Sequence, residues 1–132
     1  MSGEKNLHRL LASLSPELTG GEYVFCTFPG ARYADHAELE PVAAIRESEG
    51  LTLVIPKRKA DEKQLAYDSV FRRITLNVHS SLDAVGLTAA FSARLADSGI
   101  SANVIAGYYH DHIFVQDECA EKALAALHEL TR

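Results

Sequence analysis

The sequence predicts an α+β fold in which an antiparallel sheet is covered by helices on one face. Three observations predict it. Ile74, Leu76 and Val78 alternate with Arg73, Thr75, Asn77 and His79, the period of a strand with one buried face. Leu87, Phe91 and Leu95 then recur at helical spacing, with Ala90 in the same stripe, so the chain passes from strand to helix near Gly86. Ile100, Ala102, Val104 and Ala106 return to alternation, and Ile113 and Val115 continue it beyond a turn opening at Gly107.

Residues 71–130 thus read strand, helix, strand, tight turn, strand, helix, most of a βαββαβ unit of the ferredoxin-like kind. Gly99 falls where a left-handed C-terminal helix cap belongs, a conformation that glycine adopts without steric cost. Asp117 is the expected N-cap of the last helix, with Glu118 in its first turn. Ala120, Ala123, Leu124, Leu127 and Leu130 supply that helix with its apolar stripe.

Upstream, Leu7, Leu10, Leu11 and Leu14 predict an amphipathic helix that ends before Pro16. Gly20 and Gly21 predict a turn, and residues 22–28 (EYVFCTF) a strand. A loop runs to His36. Residues 42–47 and 51–55 predict two strands joined around Ser48, Glu49 and Gly50, with Pro56 ending the second. Residues 57–64 are charged and helix-prone; Lys57, Arg58 and Lys59 read as a solvated helix face. Two units follow, residues 1–67 and 68–132, the first without a clear first helix. No fourth strand follows the last helix, and an empty sheet edge exposes unpaired backbone groups. The units are therefore expected to share strands, with residues 23–28 as the donor.

Composition sets the bounds. The chain has 132 residues, 47% of them hydrophobic, which suits a packed core of one or two small domains. No apolar run approaches the ~20 residues that span a bilayer. Glu4, Lys5, His8 and Arg9 break up any signal-peptide core. A soluble cytoplasmic protein without membrane association is expected. The net charge of −5 and the lack of a basic block argue against nucleic acid as a partner. Cys26 and Cys119 have no metal-ligand spacing, and Cys26 is expected to be a buried free thiol.

The segment VGLTAAFSARLADSGIS resembles the signature of ACT domains, small modules that bind amino acids in metabolic regulation. In that family a glycine ends the first β-α loop, a leucine follows, and the helix leads to a Gly-Ile pair. Gly86, Leu87, Gly99 and Ile100 hold those positions, and Val85 stands where the family often has proline. The segment GYYHDHIFV is similar to the third-strand region of the ACT subfamily related to aspartokinase and arginine-sensing proteins. The resemblance implies two ACT-like units with no enzyme attached, a regulatory protein that binds a small molecule, an amino acid, without catalysis.

The resemblance further implies a ligand site between two ACT units. It selects Asp83, Ala84, Val85, Gly86 and Leu87 on the loop and helix start, Asn103 on the second strand, and Gly107 and Asp111 beside the turn. Backbone amides of residues 85–87 at a helix N-terminus suit a carboxylate. Asp111 suits an ammonium, and Asn103 can donate or accept. The plainer reading is that Asp83 caps the helix and Asp111 satisfies turn amides.

Two other readings compete. The chain could be a structural or protein-interaction module that binds no ligand. Less favoured is a zinc site from His110 and His112, with His79 from the neighbouring strand end, because H-x-H is not a zinc signature. Ser80 and Ser81 beside His79 make no nucleophile-base pair, since sequence neighbours on a turn lack that geometry. No nucleophile elbow, phosphate loop or dinucleotide fingerprint occurs, so no enzyme activity and no cofactor are expected. Tyr108 and Tyr109 are as suited to packing as to stacking on a ligand. A homodimer is expected, because small open sheets leave edges to cover.

Overall fold

The computed structural model describes residues 6–78 and 85–131. It is an α+β structure of two compact units, Met1–Gly20 with Arg72–Arg132 and, separately, Gly21–Phe71. Every strand ladder whose register is described is antiparallel.

The first unit contains α1 (Leu7–Ala12), β1 (Pro16–Leu18), most of β5 (Phe71–Leu76), α3 (Leu87–Asp97), β6 (Asn103–Ala106), β7 (Asp111–Gln116) and α4 (Ala120–Glu129). Its strand order is β1-β5-β7-β6. The missing fourth strand is thus supplied by β1, with Pro16 opposite Leu76 and Leu18 opposite Ile74. Asn77 N–H to the Ser15 carbonyl (3.0 Å) and Thr19 N–H to the Arg73 carbonyl (2.9 Å) extend this pairing at both ends. The expected donor, β2 (Tyr23–Phe28), meets β5 only at Tyr23 opposite Phe71, inside the other unit. Three residues beginning with proline are too few to show a strand period, which is why β1 is silent in the sequence.

One face of this sheet carries the core. Ile74, Leu76, Ile113 and Val115 point at Leu10 and Leu14, at Leu87, Phe91 and Leu95, and at Ala120, Ala123, Ala126 and Leu127, all buried. The small alanines on α4 let that helix lie close to the sheet. Arg94 and Glu129, 2.9 Å apart, clasp α3 to α4 at the surface. Gly99 has φ 74°, and the Ile100 N–H reaches back to the Leu95 carbonyl (3.0 Å), closing α3 as a left-handed cap does. Asp117 is not the N-cap of α4. It opens a 3-10 turn over Asp117–Cys119, and its carboxylate lies 3.9 Å from Arg72.

The second unit runs β2, a 3-10 turn (Ala37–Leu39), β3 (Ala43–Glu47), β4 (Gly50–Pro56) and α2 (Lys57–Glu62). The order is β3-β4-β2. The 3-10 turn stands where a first helix would, and it buries Leu39. Val24, Cys26, Leu51, Leu53, Ile55 and Ala60 complete the core. Cys26 is a free thiol; burial pushes its pKa up. Gly50, at φ 151°, brings the hairpin so close to β2 that a Cβ would stand 2.9 Å from the Phe28 carbonyl. In both units a helical segment leaves the third strand directly, through Pro56 (φ −58°, ψ 134°) and Gln116 (φ −58°, ψ 142°).

Candidate functional site

The β6–β7 hairpin defines one end of the first unit's sheet. Gly107 and His110 close it, with the Gly107 N–H donating to the His110 carbonyl at 2.9 Å. Tyr108 and Tyr109 form the tip, 58% and 59% exposed, their rings edge-on at 5.1 Å. Glycine is required at position 107. A Cβ there would lie 2.8 Å from the His110 carbonyl oxygen and 3.3 Å from Nε2 of His112.

Asp111 begins β7 opposite Ala106. Strand alternation places it on the side of Ile113 and Val115, the face that the helices cover. Its carboxyl is half-buried, and burial raises its pKa, an effect that His110 partly offsets. Desolvation outweighs the nearby imidazole because no hydrogen-bond donor to this carboxylate is present among the described residues. His110 carries a second unmet demand, since its Nδ1 is buried and makes no hydrogen bond among those residues. A buried polar atom without a partner is uncommon in a folded protein.

His112 takes the other face. Its Nδ1 lies 3.0 Å from Oγ1 of Thr75, a residue only 7% exposed. This contact sets the start of β7 beside the end of β5, where the chain leaves for residues 77–86. Burial, then the positive charges of Arg73 and His110, hold the His112 pKa below the usual histidine value.

Gly86 precedes α3 in a left-handed conformation (φ 98°), and Leu7 of α1 packs over it, so a Cβ would meet Leu7 Cδ2 at 3.1 Å. Val85 is 84% exposed, whereas the Leu87 side chain is 3% exposed and belongs to the core. Leu87 can therefore offer a ligand only its backbone, as part of the first helical turn, whose amides have no acceptor within the helix. α3 and Asp111 lie on the same side of the sheet. Asn103 does not join them. It is exposed, pairs with Phe114 further along β7, and donates through Nδ2 to the Phe114 carbonyl (3.2 Å). Asp83, Ala84 and His79 lie outside the described residues.

The sequence reading named His110 only as a candidate zinc ligand and Thr75 only as a polar strand residue, and linked neither to the turn. The signal available for His110 was its place beside Asp111; for Thr75 it was a polar residue inside a strand. Among the described residues, no three His, Cys, Asp or Glu side chains converge as a metal site would require. No described helix is long and apolar enough to cross a membrane. In the second unit, Gly30, Ala31 and residues 46–51 surround an open cleft of about 210 Å³, lined by Arg46, Glu47 and Glu49.

A unit of order β1-β5-β7-β6 with helices on one face, followed in reduced form by the second unit, defines a tandem of two small α+β modules. The ACT-domain family matches residues 2–72 and, in a second match, residues 69–129; the chain belongs to the ACT-domain family. ACT domains are typically ligand-binding regulatory modules. A Vibrio cholerae protein of unknown function, described as a possible transport protein, is 58% identical over 97% of this chain and 98% of that one, with a TM-score of 0.88. An Agrobacterium tumefaciens protein shares the fold at 16% identity, with a TM-score of 0.75 over 89% of each chain. The regulatory subunit of aspartate kinase from Thermus thermophilus does so at 11% identity and a TM-score of 0.63, over 90% of this chain and 96% of its own. No curated protein matches the sequence.

Proposed function

We propose that this protein is a non-catalytic regulatory module that binds a free amino acid at the end of the first unit's sheet. One observation carries the reading. Asp111 is a half-buried carboxylate without a protein hydrogen-bond donor among the described residues, next to His110, whose buried Nδ1 makes no hydrogen bond among those residues. A ligand ammonium would satisfy the carboxylate, and a charge-assisted bond of this kind contributes about 1.5–3 kcal/mol. The carboxylate end of the ligand would meet the amides of residues 85–87 at the start of α3, where the helix dipole favours negative charge. Asp83 and Ala84 belong to the same proposed loop, and Gly107 shapes the turn beside it. Asn103 would contribute only from the opposite face.

The protein acts, in this reading, as a cytoplasmic homodimer that passes ligand occupancy to another protein. The support for assembly is that β6 and β3 each pair on one side only within their units. Sedimentation giving a monomer at high micromolar concentration would refute it.

Calorimetry of the free amino acids against the purified protein tests the reading. At least one should bind, and Asp111→Ala should lose most of the affinity while its circular dichroism stays native. A ligand bound equally well by the variant would displace the site from Asp111. A panel with no binding would favour a ligand-free interaction module.

A further inference from the structure

We propose that His112 is the positioning residue of the β6–β7 turn and that its protonation loosens the turn, so that the turn, with Asp111 beside it, senses pH. The consequence for ligand affinity rests on the reading of Asp111 given above. The response of the turn itself does not.

The imidazole of His112 fills a slot with two walls. On one side Nδ1 meets the Thr75 hydroxyl at 3.0 Å. On the other, the ring edge lies against Gly107, close enough that a Cβ there would be 3.3 Å from Nε2 and 3.5 Å from Cδ2. Gly107 is also the residue whose N–H closes the turn onto the His110 carbonyl. The same glycine therefore leaves the ring no room for a methyl beside it and closes the hairpin. Any movement of the ring edge is felt by the residue that closes the turn.

A neutral imidazole suits this slot, with one nitrogen paired to Thr75 and the other against backbone. An imidazolium does not. If Nδ1–H donates to Thr75 in the neutral ring, protonation puts the new N–H and the positive charge at Nε2 beside Gly107; if Nδ1 accepts, it puts them at Nδ1 and forces the Thr75 hydroxyl from donor to acceptor. Arg73 from β5 and His110 from the turn are the charged and titratable groups that act on the ring, and both raise the cost of the cation. From β6 the register partner is Ile105, which has no charge. Asp111 is next in sequence but points to the other face, so its carboxylate does not face the ring. The turn can relieve the charge by opening to admit water at Nε2, and opening shifts Gly107 and the start of β7. Asp111 stands at that start.

Amide and histidine NMR spectra of the intact protein, recorded from about pH 8 down to about pH 5, test this without any ligand. The expected result is a His112 midpoint below the ordinary histidine value, with the amides of Gly107, Tyr108 and Tyr109 shifting at that same midpoint. In His110→Gln the turn amides should still follow His112; in His112→Gln their pH response should vanish. Amides that follow His110, or stay fixed while His112 titrates, would overturn the proposal. So would a His112 midpoint at or above the ordinary value. If His112→Gln fails to fold, the wild-type and His110→Gln spectra decide. Because no ligand is present, a failure here is distinct from a failure to find a bound amino acid by calorimetry.

Discussion

Thr75 and His112 meet across β5 and β7, Oγ1 to Nδ1 at 3.0 Å, on the sheet face away from the helical core. Thr75 is nearly inaccessible, so its hydroxyl has little recourse to water if the histidine goes. Thr75→Val keeps the shape and removes the hydroxyl, leaving the imidazole nitrogen unpaired. The expected cost is about 1–3 kcal/mol. Chemical denaturation should show Thr75→Val losing stability and Thr75→Ser retaining most of it; equal midpoints for all three would mean the contact contributes nothing.

Asp111→Asn should stabilise the fold at neutral pH. The folded-state pKa of Asp111 is raised, so the folded protein binds a proton more readily than the unfolded chain. The charged form is therefore disfavoured by folding. This liability is absent well below the ordinary carboxylate value of about 3.9 and grows as pH rises through the folded pKa. A neutral amide escapes it. Thermal melts at neutral pH should rise for Asp111→Asn, and the gain should shrink in acid. Lower melting at neutral pH would mean that the carboxylate is a structural partner.

His112 has the opposite sign of linkage. Its folded pKa is depressed, so the unfolded chain takes up the proton first on acidification. Stability should hold above about pH 6.5 and fall below it, levelling once the folded-state His112 has titrated. His112→Gln should remove this component from the pH-stability curve. A wild-type curve flat from pH 7 to about pH 5 would contradict the assignment.

Gly107→Ala should be costly. The new methyl would lie 2.8 Å from a backbone oxygen, and backbone cannot swing aside as a side-chain tip can. Overpacking of this kind costs about 1–3 kcal/mol. The His112 ring must shift as well, so its NMR signals should report the substitution. A variant with wild-type stability and an unmoved His112 resonance would show that the turn has room to spare.

Leu95→Ala removes a fully buried side chain from the α3 stripe of Leu87, Phe91 and Leu95. A loss of about 2–5 kcal/mol is expected in denaturant titration. A midpoint near wild type would mean that this face of α3 is not the core.

Much of the first unit was legible because its strands and helices are long enough to show a period. Ile74 and Leu76, then Leu87, Phe91 and Leu95, are core residues where the spacing put them. Asp117 misled because a good capping residue is also a good residue to open a 3-10 turn. β1 left no trace, since its pairing with β5 depends on residues more than fifty positions away and not on its own composition. The place of Asp111 at the start of β7 was readable from alternation beside a turn. The Thr75–His112 contact was not, because it depends on the register of two strands separated by a helix and a third strand. The unmet hydrogen-bonding capacity of His110 is likewise a property of burial, which a sequence does not print.

The fourth strand of the first unit is made before anything it pairs with. During synthesis, the segment 21–71 can close on itself as soon as it leaves the ribosome, while residues 1–20 wait for 72–132 to follow. Residues 16–18 then find their partners only after residues 74–76 have emerged. A fragment starting at residue 68 would emerge with an open edge on β5, and its tendency would be to aggregate or to borrow a strand from a neighbour.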